Sequence, residues 1–129
     1  MGVSGFIAIG LGGAIGCWVR WGLGMLFNPI FPTLPLGTLA ANLTGGLLMG
    51  IAIGLFRHFQ AASPELQLFV MTGFLGGLTT FSTFSAEATT LLLRQQYLWF
   101  SGHVLVHLTG SLAMTVLGLT LIRSLLRHA

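Results

Sequence analysis

GFLGGLTTFSTFSAE, residues 73–87, decides the fold because it lies where hydropathy calls for an unbroken membrane helix. Three glycines fall within it, and seven consecutive hydroxyl or phenyl side chains run from Thr79 to Ser85. Glycine tolerates non-helical dihedrals and β-branched threonine resists smooth helix. The stretch therefore predicts a break at Gly76-Gly77, near the middle of a membrane helix. A break frees backbone carbonyls and amides, which lipid does not tolerate unless they are buried in protein or face water or an ion. Free carbonyls there suit a small hard cation such as Na⁺.

Outward from this stretch, composition sets the class. Of 129 residues, 54% are hydrophobic and only 5% charged, far from the quarter or so charged in soluble domains. Uncharged runs cover residues 1–19, 21–56, 66–86 and 95–122, each near or above the roughly 20 residues a membrane-spanning helix needs. They predict an all-α membrane protein, a single transmembrane domain over residues 1–129, with spans near 4–27, 36–57, 65–93 and 97–123. No soluble domain is left over. The first span has no preceding Lys or Arg and is too long for a signal core, so it is expected to be retained. Asn28, Pro29, Pro32 and Pro35 punctuate the first loop; Ser63-Pro64-Glu65 reads as a cap and first helical turn. Cys17 is the single cysteine, which excludes an internal disulfide and suits a small packing residue.

All five basic residues are arginines near span ends. Alternating spans put Arg57, Arg123 and Arg127 on the side of the termini and Arg20 and Arg94 on the other. Three against two is a weak positive-inside bias, compatible with cytoplasmic termini or with insertion either way up. The net charge of +3 reads as headgroup anchoring and not as a nucleic-acid surface. Gly12-x-x-x-Gly16 and Gly46-x-x-x-Gly50-x-x-x-Gly54 permit close helix approach, to a second copy or within one chain.

Enzyme chemistry finds no foothold. Aspartate is absent and Glu65 and Glu87 are the two carboxylates. His103 and His107 share a helix face, but further metal ligands are not evident in the sequence. Asn42, early in the second span, must find partners or face water. Arg20, between Trp18-Val19 and Trp21, either snorkels to the interface or faces an aqueous vestibule and concentrates anions. His107, Ser111 and Thr115 form a polar strip along the fourth span, with His103 one turn earlier. Such a strip can replace part of an anion's hydration, or merely pack while bonding its own helix. Phe81 and Phe84 share a face, and phenyl edges are positive enough to meet an anion where water is scarce.

Eleven of the fifteen positions in residues 73–87 resemble the signature GxxGGxTTFSTFSxE of the Fluc fluoride channels, the CrcB family. GGxxGxxxR ending at Arg20, PxGTLxxNLxG containing Asn42, and HxxGSxxMTxLG from His107 to Gly118 extend the resemblance along the chain. It implies an antiparallel, dual-topology homodimer in the bacterial cytoplasmic (inner) membrane that exports fluoride passively and lowers its toxicity. It implies Phe81 and Phe84 as an aromatic box, with Asn42, Ser111, Thr115 and His107 along the fluoride pathway and Arg20 in the vestibule. It also implies a central Na⁺ held by backbone carbonyls of Gly76 and Thr79 from both subunits. Glu87 is matched without a role. A small four-span exporter or antiporter needs an embedded carboxylate early in the chain, and the first two spans have none; a non-transporting membrane assembly protein would need neither break nor strip.

Overall fold

The computed structural model describes residues 2–129, which fold into helices with no strand among the described residues. Four helical spans are long and apolar enough to cross a membrane: Gly2–Ile30, Leu36–His58, Pro64–Leu93 and Tyr97–Arg127. Each predicted span lies within a few residues of its observed counterpart. The protein is a multi-pass membrane protein.

The turns follow the local sequence. Ser63 accepts a hydrogen bond from Leu66 N at 3.2 Å and Pro64 occupies the first helical turn, as expected from Ser63-Pro64-Glu65. Pro35 offers the second span no capping side chain, and Asn28 takes that role from the first loop. Its Oδ1 accepts from Gly37 N at 2.8 Å and Thr38 N at 3.2 Å, meeting two of the amides a helix start leaves without partners. Between the third and fourth spans, Gln95 turns the chain with φ 59°.

The third span is not one regular helix. After Pro64–Gln67 the coil widens to π-helical over Leu68–Leu75 and closes with an α-helical turn over Gly76–Leu78. Thr79 (ψ 155°) and Thr80 (φ −152°) are extended, and α-helix resumes over Phe81–Leu93. The expected position of the irregularity needs correction: Gly76 is helical, with φ −63° and ψ −37°, and the departure comes at Thr79-Thr80.

What glycine supplies instead is proximity. The first span packs on the third and the second on the fourth. A Cβ on Gly16 would overlap the Phe74 carbonyl oxygen, one on Gly77 would come within 2.6 Å of Gly13 O, and one on Gly50 would overlap Thr115 O. Backbone thus touches backbone at both crossings. The GxxxG faces of spans one and two are used within one chain, so they carry no argument for a second copy. Gly50→Val forces a side chain into the Thr115 carbonyl and is expected to cost about 3 kcal/mol. Thermal melting in detergent checks this against Gly102→Ala, which has open space and should melt unchanged or slightly higher.

The small core includes Ala41, Ala52, Leu75 and Leu78, and four polar side chains are buried beside it: Thr38, Thr80, His103 and His107. Large apolar side chains such as Phe6, Trp18, Trp21 and Leu98 face outward, where lipid or protein must cover them.

Candidate ion pathway

The helical pattern is interrupted at Thr79-Thr80 because side chains capture the amides of Thr80 and Thr83. Thr80 N donates to Asn42 Oδ1 at 2.7 Å, and Thr83 N donates to Thr80 Oγ1 at 3.1 Å. In a continuous helix those amides would serve the carbonyls of Gly76 and Thr79. Both carbonyls lose their regular partners through these diversions. Thr79 remains tied backwards, its N and Oγ1 donating to Leu75 O at 3.0 and 2.8 Å. The neighbouring Gly77 carbonyl accepts from Arg20 Nε at 2.9 Å.

Asn42 therefore acts across the bend of the third span. Besides accepting from Thr80 N, it donates from Nδ2 to Thr80 O at 3.1 Å and lies 3.0 Å from His107 Nδ1. Around it runs a groove of about 380 Å³ on the side of the chain, lined by Asn42, Thr79, Thr80, Phe81, Phe84, His107, Ser111 and Thr115 among others. Gly45 and Gly46 also line it, and a Cβ on Gly46 would come within 2.9 Å of Ser111 O. Thr115 Oγ1 donates to its own helix at Ser111 O, 3.0 Å away, so this hydroxyl hydrogen is engaged within the helix.

The two phenylalanines sit differently. Phe84 is buried at 6% exposure and packs on both imidazoles, with ring centroids 5.3 Å from His103 and 4.8 Å from His107. Phe81 meets Phe84 edge-on at 5.5 Å but is 72% exposed at the groove rim.

Arg20 lies outside this groove, in a neighbouring hollow with Cys17, Trp21, Thr38, Thr80 and Thr83. Thr80 lines both. Cys17 is exposed there and packs against Gly77, whose Cβ would lie 3.2 Å from its sulfur.

The sequence reading missed a buried polar cluster behind Phe84. Thr38 donates to Glu87 Oε1 at 2.6 Å. Glu87 Oε2 lies 3.2 Å from His103 Nε2, although the pair is off the line a hydrogen bond needs. Glu87, His103 and His107 bring their ligating atoms within 4.8 Å of one another. The i, i+4 histidine pair was the available signal; nothing local pointed to Glu87, which belongs to another span. Thr79, Asn42, Phe81, Phe84, His107, Ser111 and Thr115 thus line one groove, with Arg20 in the adjoining hollow; Gly76 lies one helical turn before Thr80 and is not part of the lining.

The family model described as "CrcB-like protein, Camphor Resistance (CrcB)" matches residues 7–119. A protein of Nitrosospira multiformis named fluoride-specific ion channel FluC is 60% identical over 128 residues, covering 99% of this chain and 100% of its own length. Proteins of the same name from Cupriavidus taiwanensis and Ralstonia nicotianae are 53% and 51% identical, each across 97% of this chain and 99% of their own length. With the family model spanning most of the sequence and relatives aligned nearly end to end, this chain belongs to the CrcB family.

Proposed function

We propose that this protein is a fluoride-specific channel that lets the ion leave the bacterial cytoplasm down its gradient, working in the inner membrane and lowering fluoride toxicity. One observation carries the reading. The segment 73–87, which bears the channel signature, bends around the same groove as Asn42, His107, Ser111 and Thr115. End-to-end similarity to proteins named as fluoride-specific channels supports it.

The path is assembled from two copies. The groove is open along the side of a single chain, and Phe81 at its rim needs an apolar or aromatic cover. A second chain in antiparallel orientation supplies that cover, and the three-to-two division of arginines is compatible with insertion either way up. Fluoride sheds water stepwise past Thr115, Ser111 and His107, reaches Asn42, and meets the positive edges of Phe81 and Phe84; Thr115, its hydroxyl hydrogen engaged at Ser111 O, borders the path without donating. Arg20 raises the anion concentration at the vestibule. Hydroxyls and phenyl edges act by position and polarity; no bond is made or broken.

A Na⁺ at the dimer centre completes the assembly, held by the carbonyls of Gly76 and Thr79 from each subunit. Diversion of Thr80 N and Thr83 N leaves these oxygens to coordinate a hard cation. When bound there it would supply positive charge that favours an anion nearby, while the Gly76 and Thr79 carbonyls would hold it.

The exporter reading is weaker because it needs a carboxylate early in the chain. Both carboxylates lie in the third span, Glu65 in its first turn and Glu87 with its Oε1 already bonded to Thr38.

The test is efflux from liposomes loaded with fluoride or chloride. Fluoride should leave rapidly with chloride retained. Equal chloride efflux, or no fluoride efflux in sodium buffer, would overturn the channel reading. Replacing sodium by choline should lower the melting temperature of the purified dimer, since at about 100 times its dissociation constant a ligand adds about 2.7 kcal/mol. An unchanged melting temperature would remove the structural cation.

A further inference from the structure

The second and fourth spans end together, and their last turns are basic. Arg57 and His58 close the second span and Arg127 closes the fourth. Arg123 lies one helical turn before Arg127, on the same face. Just beneath, the two helices touch, since a Cβ on Gly54 would overlap the Ile122 side chain. That contact brings Arg57, three residues after Gly54, and Arg123, next to Ile122, to one hollow of about 370 Å³. Gly54, Arg57, His58, Arg123, Leu126 and Arg127 line it, so three of the chain's five arginines meet there.

No counter-charge is built in. No carboxylate side chain lines the hollow; Glu65 is bonded to Ser4 and Glu87 to Thr38. Among the described residues, Arg57, Arg123 and Arg127 form no ion pair. Arg20, by contrast, is bonded to the Gly77 carbonyl. The two helix C-termini contribute about half an elementary negative charge each, against three full positive charges, which leaves an excess of about two. Arg123 and Arg127, four apart on one helix, also repel each other. A bound anion relieves both.

We propose that this hollow binds the phosphate of an anionic phospholipid headgroup. Guanidinium groups present planar forks that match phosphate oxygens two at a time, and they are more weakly hydrated than an ammonium. All three arginines are exposed, so their forks are free to turn to such a group. Location favours lipid over free phosphate. The hollow lies where two membrane-spanning helices end, at the level of the headgroups, and basic pockets between spanning helices bind phospholipid headgroups. Leu126 gives it an apolar wall, and Val116, two turns before Arg123 on the same face, is exposed for an acyl chain to lie along. In two chains of opposite orientation, one such hollow opens to each leaflet.

The test is native mass spectrometry of the full-length protein, titrated in detergent with phosphatidylglycerol or, as the neutral control, phosphatidylcholine. Phosphatidylglycerol should bind saturably at one per chain, and phosphatidylcholine should not. Arg57→Gln, Arg123→Gln and Arg127→Gln should each weaken binding about fivefold, the scale of one arginine near an anionic membrane surface. Arg94→Gln removes the same charge at the end of the third span, outside the hollow, and should leave binding unchanged. Equal weakening by Arg94→Gln would reduce the effect to diffuse attraction and overturn the site. Displacement of phosphatidylglycerol by an equal concentration of inorganic phosphate would overturn it too, leaving a free-phosphate site. Slower fluoride efflux in Arg123→Gln from vesicles of phosphatidylcholine alone would assign the cluster to ion entry instead. The two-lipid comparison and the phosphate arm use the unmodified protein, so they decide the matter even where a variant does not fold. Binding is read without an ion gradient, so its failure leaves the channel reading standing, and absence of fluoride efflux leaves this site standing.

Discussion

Phe84→Ile is expected to slow fluoride efflux by about 100-fold while leaving the protein assembled, a rise of about 2.7 kcal/mol in the barrier. Isoleucine keeps an apolar side chain in the space against His103 and His107 that Phe84 fills. It removes the aromatic ring and with it the positive edge. Desolvated cation contacts with a ring face reach about 2 kcal/mol or more, and the contact of an anion with the positive edge is set on the same scale here, since in a site shielded from water no solvent replaces it. The decisive comparison is efflux rate against gel-filtration profile. Normal assembly with slow efflux supports a ring in contact with the ion; normal efflux returns Phe84 to packing alone. Phe81→Ile should act in the same direction, because the exposed ring of Phe81 meets that of Phe84 edge-on.

The second large effect concerns stability. Asn42→Ala strips the acceptor from Thr80 N and one of two donors from Thr80 O, which as the N-cap carbonyl still accepts within the helix Phe81–Leu93. An unsatisfied buried amide costs about 1–3 kcal/mol, and the variant is expected to lose that much. Thr80→Ala removes the side-chain cap on Thr83 N and should cost about 1 kcal/mol. Melting of the two variants in detergent should follow that order. The reverse order would mean that the bend is held by its own cap, with Asn42 incidental. Fluoride efflux should fall in Asn42→Ala as well, because the bend positions the Gly76 and Thr79 carbonyls and the Phe81–Phe84 face together.

Several local features were legible without coordinates. Ser63 and Pro64 start the third span where their chemistry places a cap and a first turn. The strip from His107 to Thr115 borders one groove, as residues four apart on a helix should. Other features were displaced by packing. Gly76-Gly77 had the dihedral freedom to break the helix and did not use it, because Gly77 is needed against Gly13 and Cys17. Thr79 and Thr80 left the helix instead, since Asn42 and the Thr80 hydroxyl offered competing acceptors to the amides of Thr80 and Thr83. The spacing of small residues in spans one and two marked close-approach faces without naming the helix each would meet.

The sequence by itself determined the membrane class, the four spans, the Ser63 cap and the family, because these depend on hydropathy, helical period and short motifs read along a few neighbouring residues. Only the tertiary structure decided which polar group meets which. Asn42 reaches Thr80 across 38 positions and His107 across 65, and Thr38 reaches Glu87 across 49. In lipid each such group must find a partner, and helix packing selects that partner from parts of the chain that no local pattern connects.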